Sequence, residues 1–454
     1  MPNFDALSLE ELVRPEGYDC ACGRHHACGL DYLKIGRGAI ACVADMVAAM
    51  GKKRPFVVCD GNTYAVAGKR VCELLDAAGV ESVCYIIPGG PRIAPAEWEV
   101  GSVVMHYDPK CDMILAVGSG VVNDICKVVA KAVGVPSAVV GTAPSMDGYA
   151  SDSSSMEVNH VKVSLYNHGP VGILLDTEIL ARAPIRMLWA GLGDMVAKYI
   201  AICEWRISHL VTGEFYCENI AQLMRAALRK IVDAADGIPA RDPDAIGAIA
   251  EGLVTAGIAM AYVTISRPAS GLEHYFSHMW EMMALERGQS YDLHGIQVGV
   301  GTVLTMKLYE HIRTIQPDRA KAEAQMKAYD RSAWEAQIRR IFGSTADEII
   351  RIEDRTHKND AQRHAKRLDS ILAHWDEILR IMDEELPPYE ELHRLLAKTG
   401  MPMTPGAIGV PLCDVVDAFI GSRDIRDKYL SCSLLWDLGL TDVFAQYLAE
   451  DAEK

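Results

Sequence analysis

Five short apolar runs, Val57–Cys59, Val83–Ile87, Ile114–Val117, Ala138–Val140 and Gly172–Leu175, recur between residues 31 and 183, separated by segments of helical character. Runs this short read as strands covered on both faces, and strands that alternate with helices form a parallel sheet, because each crossover needs a helix to carry the chain back. Beyond Ala183-Pro184 the pattern changes. Ile185–Leu210, Phe215–Ala235 and Asp242–Ile265 read as helices, and charged amphipathic helices follow from Asp318 onward. The sequence therefore predicts an α/β domain over residues 1–183 and an all-helical domain over 184–454.

Chemistry-bearing residues collect at the ends of these runs. The strand Asp112–Val117 leads into Gly118-Ser119-Gly120-Val121-Val122-Asn123-Asp124, and a helix continues to Val133. A strand, a glycine turn and a helix N-terminus make an anion cradle: glycine lets the backbone approach a phosphate, and the first N–H groups and helix dipole favour negative charge. The third glycine of the full dinucleotide fingerprint is missing, so the turn also fits an ordinary βα connection. The next junction, Ser137–Gly141, runs into Thr142-Ala143-Pro144-Ser145-Met146-Asp147-Gly148-Tyr149-Ala150-Ser151, dense in hydroxyls with one acid. Hydroxyls suit a pyrophosphate and an acid suits a sugar or substrate hydroxyl. Asp60, closing Pro55–Asp60, stands where an adenosine ribose is held, although an Asp-Gly-Asn turn needs no ligand.

The helical half adds a metal-binding set. Asp194 in Gly191-Leu-Gly-Asp194, His274 in Ser270-Gly-Leu-Glu-His274 and His294 in Leu293-His294-Gly295 supply one carboxylate and two imidazoles. That set suits a divalent zinc, nickel or iron ion with an open coordination position, the mark of a catalytic site. His278 stands four residues beyond His274, on the same helix face, and could relay a proton. Glu273 and Glu281 flank the pair as possible partners for ligating imidazoles. A histidine pair alone would more often be two hydrogen-bonded residues of no catalytic role. The preceding stretch Asp242–Ile265 is apolar enough to suggest a membrane span, but Glu251, Thr255 and three glycines favour a buried core helix.

Together these residues resemble the sn-glycerol-1-phosphate dehydrogenases of the metal-dependent polyol dehydrogenase superfamily, alongside glycerol dehydrogenase, iron-type alcohol dehydrogenase and 3-dehydroquinate synthase. The resemblance runs from about Asp31 to Phe444 and is most specific in Thr142–Ser151. It implies a dehydroquinate-synthase-like fold, with a nucleotide-binding α/β domain and a helical metal- and substrate-binding domain. It implies NAD or NADP held by Gly118, Ser119, Gly120, Val121, Val122, Thr142, Ala143, Pro144, Ser145 and Ser151, and Asp124 and Asp60 are added as cofactor candidates. By the same resemblance Asp194, His274 and His294 hold the metal, Asp147 and His278 contact substrate, and Asp194 touches both. The implied reaction is reversible reduction of dihydroxyacetone phosphate to sn-glycerol 1-phosphate. Ser119 departs from the three glycines of many members, and Lys162 is a candidate for the substrate phosphate.

Other classes fit less well. A glycerol or other polyol dehydrogenase is the nearest alternative. A dehydroquinate-synthase-like lyase would have Glu where Asp194 stands, and a non-catalytic metal-binding protein would have no reason to keep both metal set and nucleotide loops. The net charge of −16 argues against nucleic acid or an anionic membrane as partner. Thirteen cysteines without a small-domain framework, and an N-terminus without a signal-peptide pattern, suggest a cytoplasmic enzyme acting on a small molecule, expected as a homo-oligomer. The run Cys20-Ala-Cys22-Gly-Arg-His25-His26-Ala-Cys28 offers five soft ligands. A zinc site usually draws a second ligand pair from farther along, and no pair of matching spacing follows, so the spacing argues against metal here.

Overall fold

A computed structural model describes residues 3–90, 93–158 and 161–453. It divides into two compact units, Met1–Met195 with Glu218–Ser266, and Val196–Cys217 with Arg267–Lys454.

The first unit is built on six parallel strands: β1 (Tyr32–Gly36), β2 (Pro55–Asp60), β3 (Val83–Ile87), β4 (Met113–Gly118), β5 (Ser137–Gly141) and β6 (Gly172–Asp176). Their order is β1-β6-β5-β4-β2-β3. All five predicted runs are strands, and the central ones are buried throughout. The sixth, β1, is an edge strand with Lys34 exposed, so it lacks the apolar signature of a strand covered on both faces. One sheet face packs Val57, Leu115, Val117, Val140 and Leu174 against Val43, Met46, Val71 and Leu75. Burying each such side chain contributes about 1.5–3 kcal/mol.

The chain leaves β2 toward one sheet edge and β4 toward the other. Val58 pairs with Ala116, so the strand ends Asp60 and Gly118 lie level on either side of this switch in direction, where open α/β sheets bind ligands. Helix α1 (Gly120–Val133) follows β4.

The predicted single boundary at 183/184 does not match these units. Helices α2 (Ile185–Val196, up to Met195), α4 (Glu218–Ala234) and α5 (Pro243–Val263) belong with the sheet, whereas α3 (Lys198–Thr212) does not. Close backbone approaches hold them: a Cβ on Gly191 would lie 1.9 Å from the Pro144 carbonyl oxygen, and one on Gly257 3.1 Å from that of Asp147. Periodicity marks a helix but not the surface it covers. Among the described residues α5 is the one helix long and apolar enough to cross a membrane, and 83% of its apolar window is buried inside the protein, as the reading of a core helix requires.

The second unit contains helices alone among its described residues. Helices α6 (Leu272–Glu286) and α7 (His294–Ile312) pack closely. Their crossing depends on Gly301, whose Cβ would stand 2.4 Å from the Glu273 carbonyl oxygen.

Candidate functional site

The cradle in the first unit is made of backbone. Ser119 is the N-cap of α1 but its hydroxyl does not cap the helix. It shares a hydrogen bond with the Ser145 hydroxyl (2.5 Å) and donates to the Ala143 carbonyl (3.4 Å). The first turn, Gly120-Val121-Val122, thus keeps its N–H groups for an anion. Gly118 is required on steric grounds, because a Cβ there would sit 2.5 Å from that of Val122. Thr142 N–H donates to the Gly118 carbonyl at 3.0 Å, locking the hydroxyl loop to the glycine turn. Thr142, Ala143 and Ser145 therefore border the same strand ends as Gly118, and Pro144 lies against α2 at Gly191.

Lys127, which sequence reading missed, organises this loop. It is buried on α1, and its Nζ donates to the carbonyls of Gly148 (3.3 Å), Ser151 (3.4 Å) and Ser153 (2.5 Å). Asp124 balances its charge at 2.8 Å, and its other oxygen accepts the Ser155 N–H at 3.0 Å. Both Asp124 oxygens thus serve the protein's own scaffold. Ser151 also turns inward, its Oγ bonded to the hydroxyl (2.9 Å) and N–H (3.1 Å) of Ser153. Asp60 forms a capping box with Thr63, one oxygen accepting the Thr63 N–H at 2.7 Å. Lys162 sits on a two-stranded hairpin, paired in register with Glu157.

Asp194 and Asp147 meet within the first unit. Gly191 lets α2 lie against Pro144, and three residues later the fully buried Asp194 accepts the Asp147 N–H at 2.9 Å. The carboxylate is thus oriented by the loop that carries the other acid.

The second unit assembles the histidines. The His274 and His294 ring centroids are 5.5 Å apart, and His278 lies 5.4 Å from His294. Nδ1 of His274 bonds Glu273 Oε1 at 2.8 Å. Nδ1 of His294 bonds Glu281 Oε1 and Ser277 Oγ, both at 3.0 Å. With Nδ1 donating to a carboxylate, each neutral ring carries its lone pair on Nε2, the pattern of a metal-bound imidazole. Glu273 and Glu281 are fully buried. The donor chemistry of this pair suits a divalent transition metal, and the uncapped first turn of α1 suits a dinucleotide phosphate. His278, Glu281 and His294 also bring their ligand atoms within 4.8 Å of one another.

Behind Glu273 stands a residue no motif marked. Glu204 of α3 is buried, accepts the Leu272 N–H at 2.9 Å and the Ser431 N–H at 2.9 Å, and is bonded by Tyr309 at 3.3 Å. Burial, then the neighbouring Glu273 charge, pushes its pKa up to about 7. A Glu inside an apolar helix offers no sequence signal of this kind.

Comparisons with known proteins align with both halves. Residues 34–184 match the family model described as iron-containing alcohol dehydrogenase. The glycerol-1-phosphate dehydrogenase [NAD(P)+] of Geobacillus stearothermophilus is 30% identical over 93% of this chain and 94% of its own length. That of Halalkalibacterium halodurans is 33% identical over 64% of this chain and 74% of its own. Among solved structures, glycerol dehydrogenase from Schizosaccharomyces pombe superposes with a TM-score of 0.59 at 14% identity, over 93% of this chain and 91% of that one. Maleylacetate reductase from Agrobacterium tumefaciens gives 0.60 at 14% identity, over 94% and 97%. These last two likenesses concern the fold.

Proposed function

The chain belongs to the glycerol-1-phosphate dehydrogenase family, an NAD(P)-dependent branch of the iron-containing alcohol dehydrogenases, and from that premise we propose that it interconverts dihydroxyacetone phosphate and sn-glycerol 1-phosphate. The observation that carries the metal-assisted part of this reading is the pair of imidazoles, His274 and His294, each with Nδ1 on a buried carboxylate. Asp194 is the third protein ligand in this reading, supported by its burial and by its place in the Gly191–Asp194 motif.

A divalent zinc, nickel or iron ion bound there supplies Lewis-acid polarisation of the substrate carbonyl. The protein does the rest. Gly120, Val121 and Val122 take the pyrophosphate on their N–H groups, with Gly118 and Ser119 shaping the turn and Thr142–Ser145 and Ser151 bordering it. Asp60 stands by the adenosine ribose, where its charge favours NAD over the 2′-phosphate of NADP. Asp147 and His278 hold the triose. Nicotinamide bound at this cradle would supply hydride chemistry at C2, and in the reducing direction His278 would give a proton to the C2 oxygen. Substrate selection is supported by the names of the relatives and by the 142–151 loop.

The test is oxidation of the two glycerol phosphate enantiomers by purified protein with NAD and with NADP. Preference for the sn-1 form supports the reading. Preference for the sn-3 form or for glycerol refutes the substrate assignment and leaves the metal and dinucleotide assignments standing.

A further inference from the structure

The cysteine run near the N-terminus folds into more than its spacing suggested. Tyr18 pairs with His26 and Asp19 with His25 in a short antiparallel hairpin. Its turn is closed by Cys20 N–H to the Arg24 carbonyl and Gly23 N–H to the Cys20 carbonyl, both 3.0 Å, with Gly23 at φ +80°. That left-handed residue turns Cys22 back, so that its Sγ lies 3.3 Å from His26 Nε2. The His26 ring is fully buried, stacked on Tyr262 and edge-on to Phe4. Its Nδ1 bonds the Tyr262 carbonyl at 2.8 Å, which fixes the tautomer and puts the lone pair on Nε2, toward the thiols.

The remaining ligand comes from a distant stretch, and it is single. Asn219, in the first turn of α4, donates to Cys20 Sγ at 3.3 Å. Cys217 lies two residues before Asn219 and is peptide-bonded to Glu218, the first residue of α4, so chain connectivity alone brings it to this corner. The ligand atoms of Cys20, Cys22, His26 and Cys217 fall within 4.8 Å of one another. The other two soft residues of the run point elsewhere: His25 bonds Asp19 at 2.9 Å, and Cys28 turns to the Leu12 carbonyl at 3.9 Å.

We propose that Cys20, Cys22, His26 and Cys217 bind a structural zinc ion, additional to the metal of the proposed reaction. Three thiolates and one imidazole are a closed tetrahedral set that leaves no position for substrate, and soft thiolates select zinc over the harder divalent ions. The ion cross-links the N-terminal hairpin to the start of α4 and, through His26, to the end of α5. Its binding releases the thiol protons and is coupled to folding of this corner.

The test uses the full-length protein as purified, by metal analysis and zinc K-edge absorption, in wild type and in His274→Ala. Sulfur neighbours at about 2.3 Å from zinc are expected in both proteins, because the cluster does not depend on His274. Cys22→Ser and Cys217→Ser should each lose that zinc and melt several degrees lower while still binding NADH. Should a variant fail to fold, the wild-type spectrum still decides. Zinc with only nitrogen and oxygen neighbours, or a wild-type protein purified with zinc available that holds none, overturns the proposal. Sulfur-bound zinc together with full retention of the second metal in His274→Ala would instead refute the assigned ligands of the reaction metal.

Discussion

The glycine turn after β4 and the histidine cluster on α6 and α7 solve recognition with different atoms. The turn offers backbone N–H groups, and its residues matter for what they lack: a Cβ on Gly118 would strike Val122, and one on Gly191 would strike the Pro144 carbonyl that borders the same loop. The cluster offers side chains, and its residues matter for the charge and proton they carry. Glu273 and Glu281 hold His274 and His294 in one tautomer. The first site should therefore be sensitive to added volume and the second to removed charge. Each prediction below tests one side of that contrast.

The largest effect is expected from His274→Ala. Removing one of two imidazoles should empty the reaction metal and take turnover below detection, with circular dichroism and dinucleotide binding unchanged. A variant that keeps that metal in full would break the comparison at its root, because the cluster would then not be the metal's holder. Glu273→Gln keeps the shape and the ligand but removes the charge behind His274. Loss of such a supporting carboxylate should weaken metal affinity by about 10–100-fold, measured by competition with a chelator. An unchanged affinity would mean that the carboxylate only packs α6.

Gly191→Ala probes the other side. A methyl group placed 1.9 Å from the Pro144 oxygen cannot be accommodated without moving α2 or the loop. Overpacking of this kind costs about 1–3 kcal/mol, read as a lower melting temperature. The dinucleotide Kd should rise with it, because the displaced loop borders the cradle. Gly120→Val separates binding from stability. The new Cβ meets the flexible Met146 side chain at 3.2 Å, so the fold should tolerate it while the branched group obstructs the phosphate. A Gly120→Val protein with wild-type dinucleotide affinity would place the cradle elsewhere.

The same contrast explains what the sequence revealed. Backbone sites leave strong marks: the strand-glycine-helix pattern and the hydroxyl loop both fall at the strand ends where they were expected, because few sequences allow such turns. Unbroken apolar runs were legible as strands, the edge strand Val83–Ile87 among them although Cys84 and Ile86 are exposed, whereas the edge strand Tyr32–Gly36, interrupted by Lys34, was not. Isolated buried charges leave no mark. Lys127 and Glu204 look like ordinary polar positions of helices, and only the fold brings Ser153 or Ser431 to them. Proximity of Asp124 to the glycine turn in sequence likewise does not reveal which way its carboxylate faces, and only the fold turns its oxygens to Lys127 and the Ser155 N–H. Cys217 escaped because a lone cysteine some 190 positions from its partners has no spacing to recognise.

The smallest effect expected is on pH dependence, and it concerns Glu204. Its folded pKa stands near 7 against a usual value of 4.5, raised by burial and then by Glu273. The folded protein therefore holds a proton on Glu204 that the unfolded chain releases between pH 4.5 and 7. With more protons bound in the folded state, stability falls as pH rises through that window. The contribution is present in full below 4.5 and lost above about 7. Glu204→Gln is neutral at every pH and should lack this slope, although its amide cannot accept from all the donors that Glu204 serves and so carries a loss independent of pH. The melting temperature of wild type minus that of Glu204→Gln should thus decline from pH 5 to pH 7, a window set by those two values. A difference that stays constant would mean Glu204 is ionised throughout, its backbone donors outweighing burial. The helix N-terminus that carries His274 would then rest on two fixed negative charges rather than on one charge and a proton.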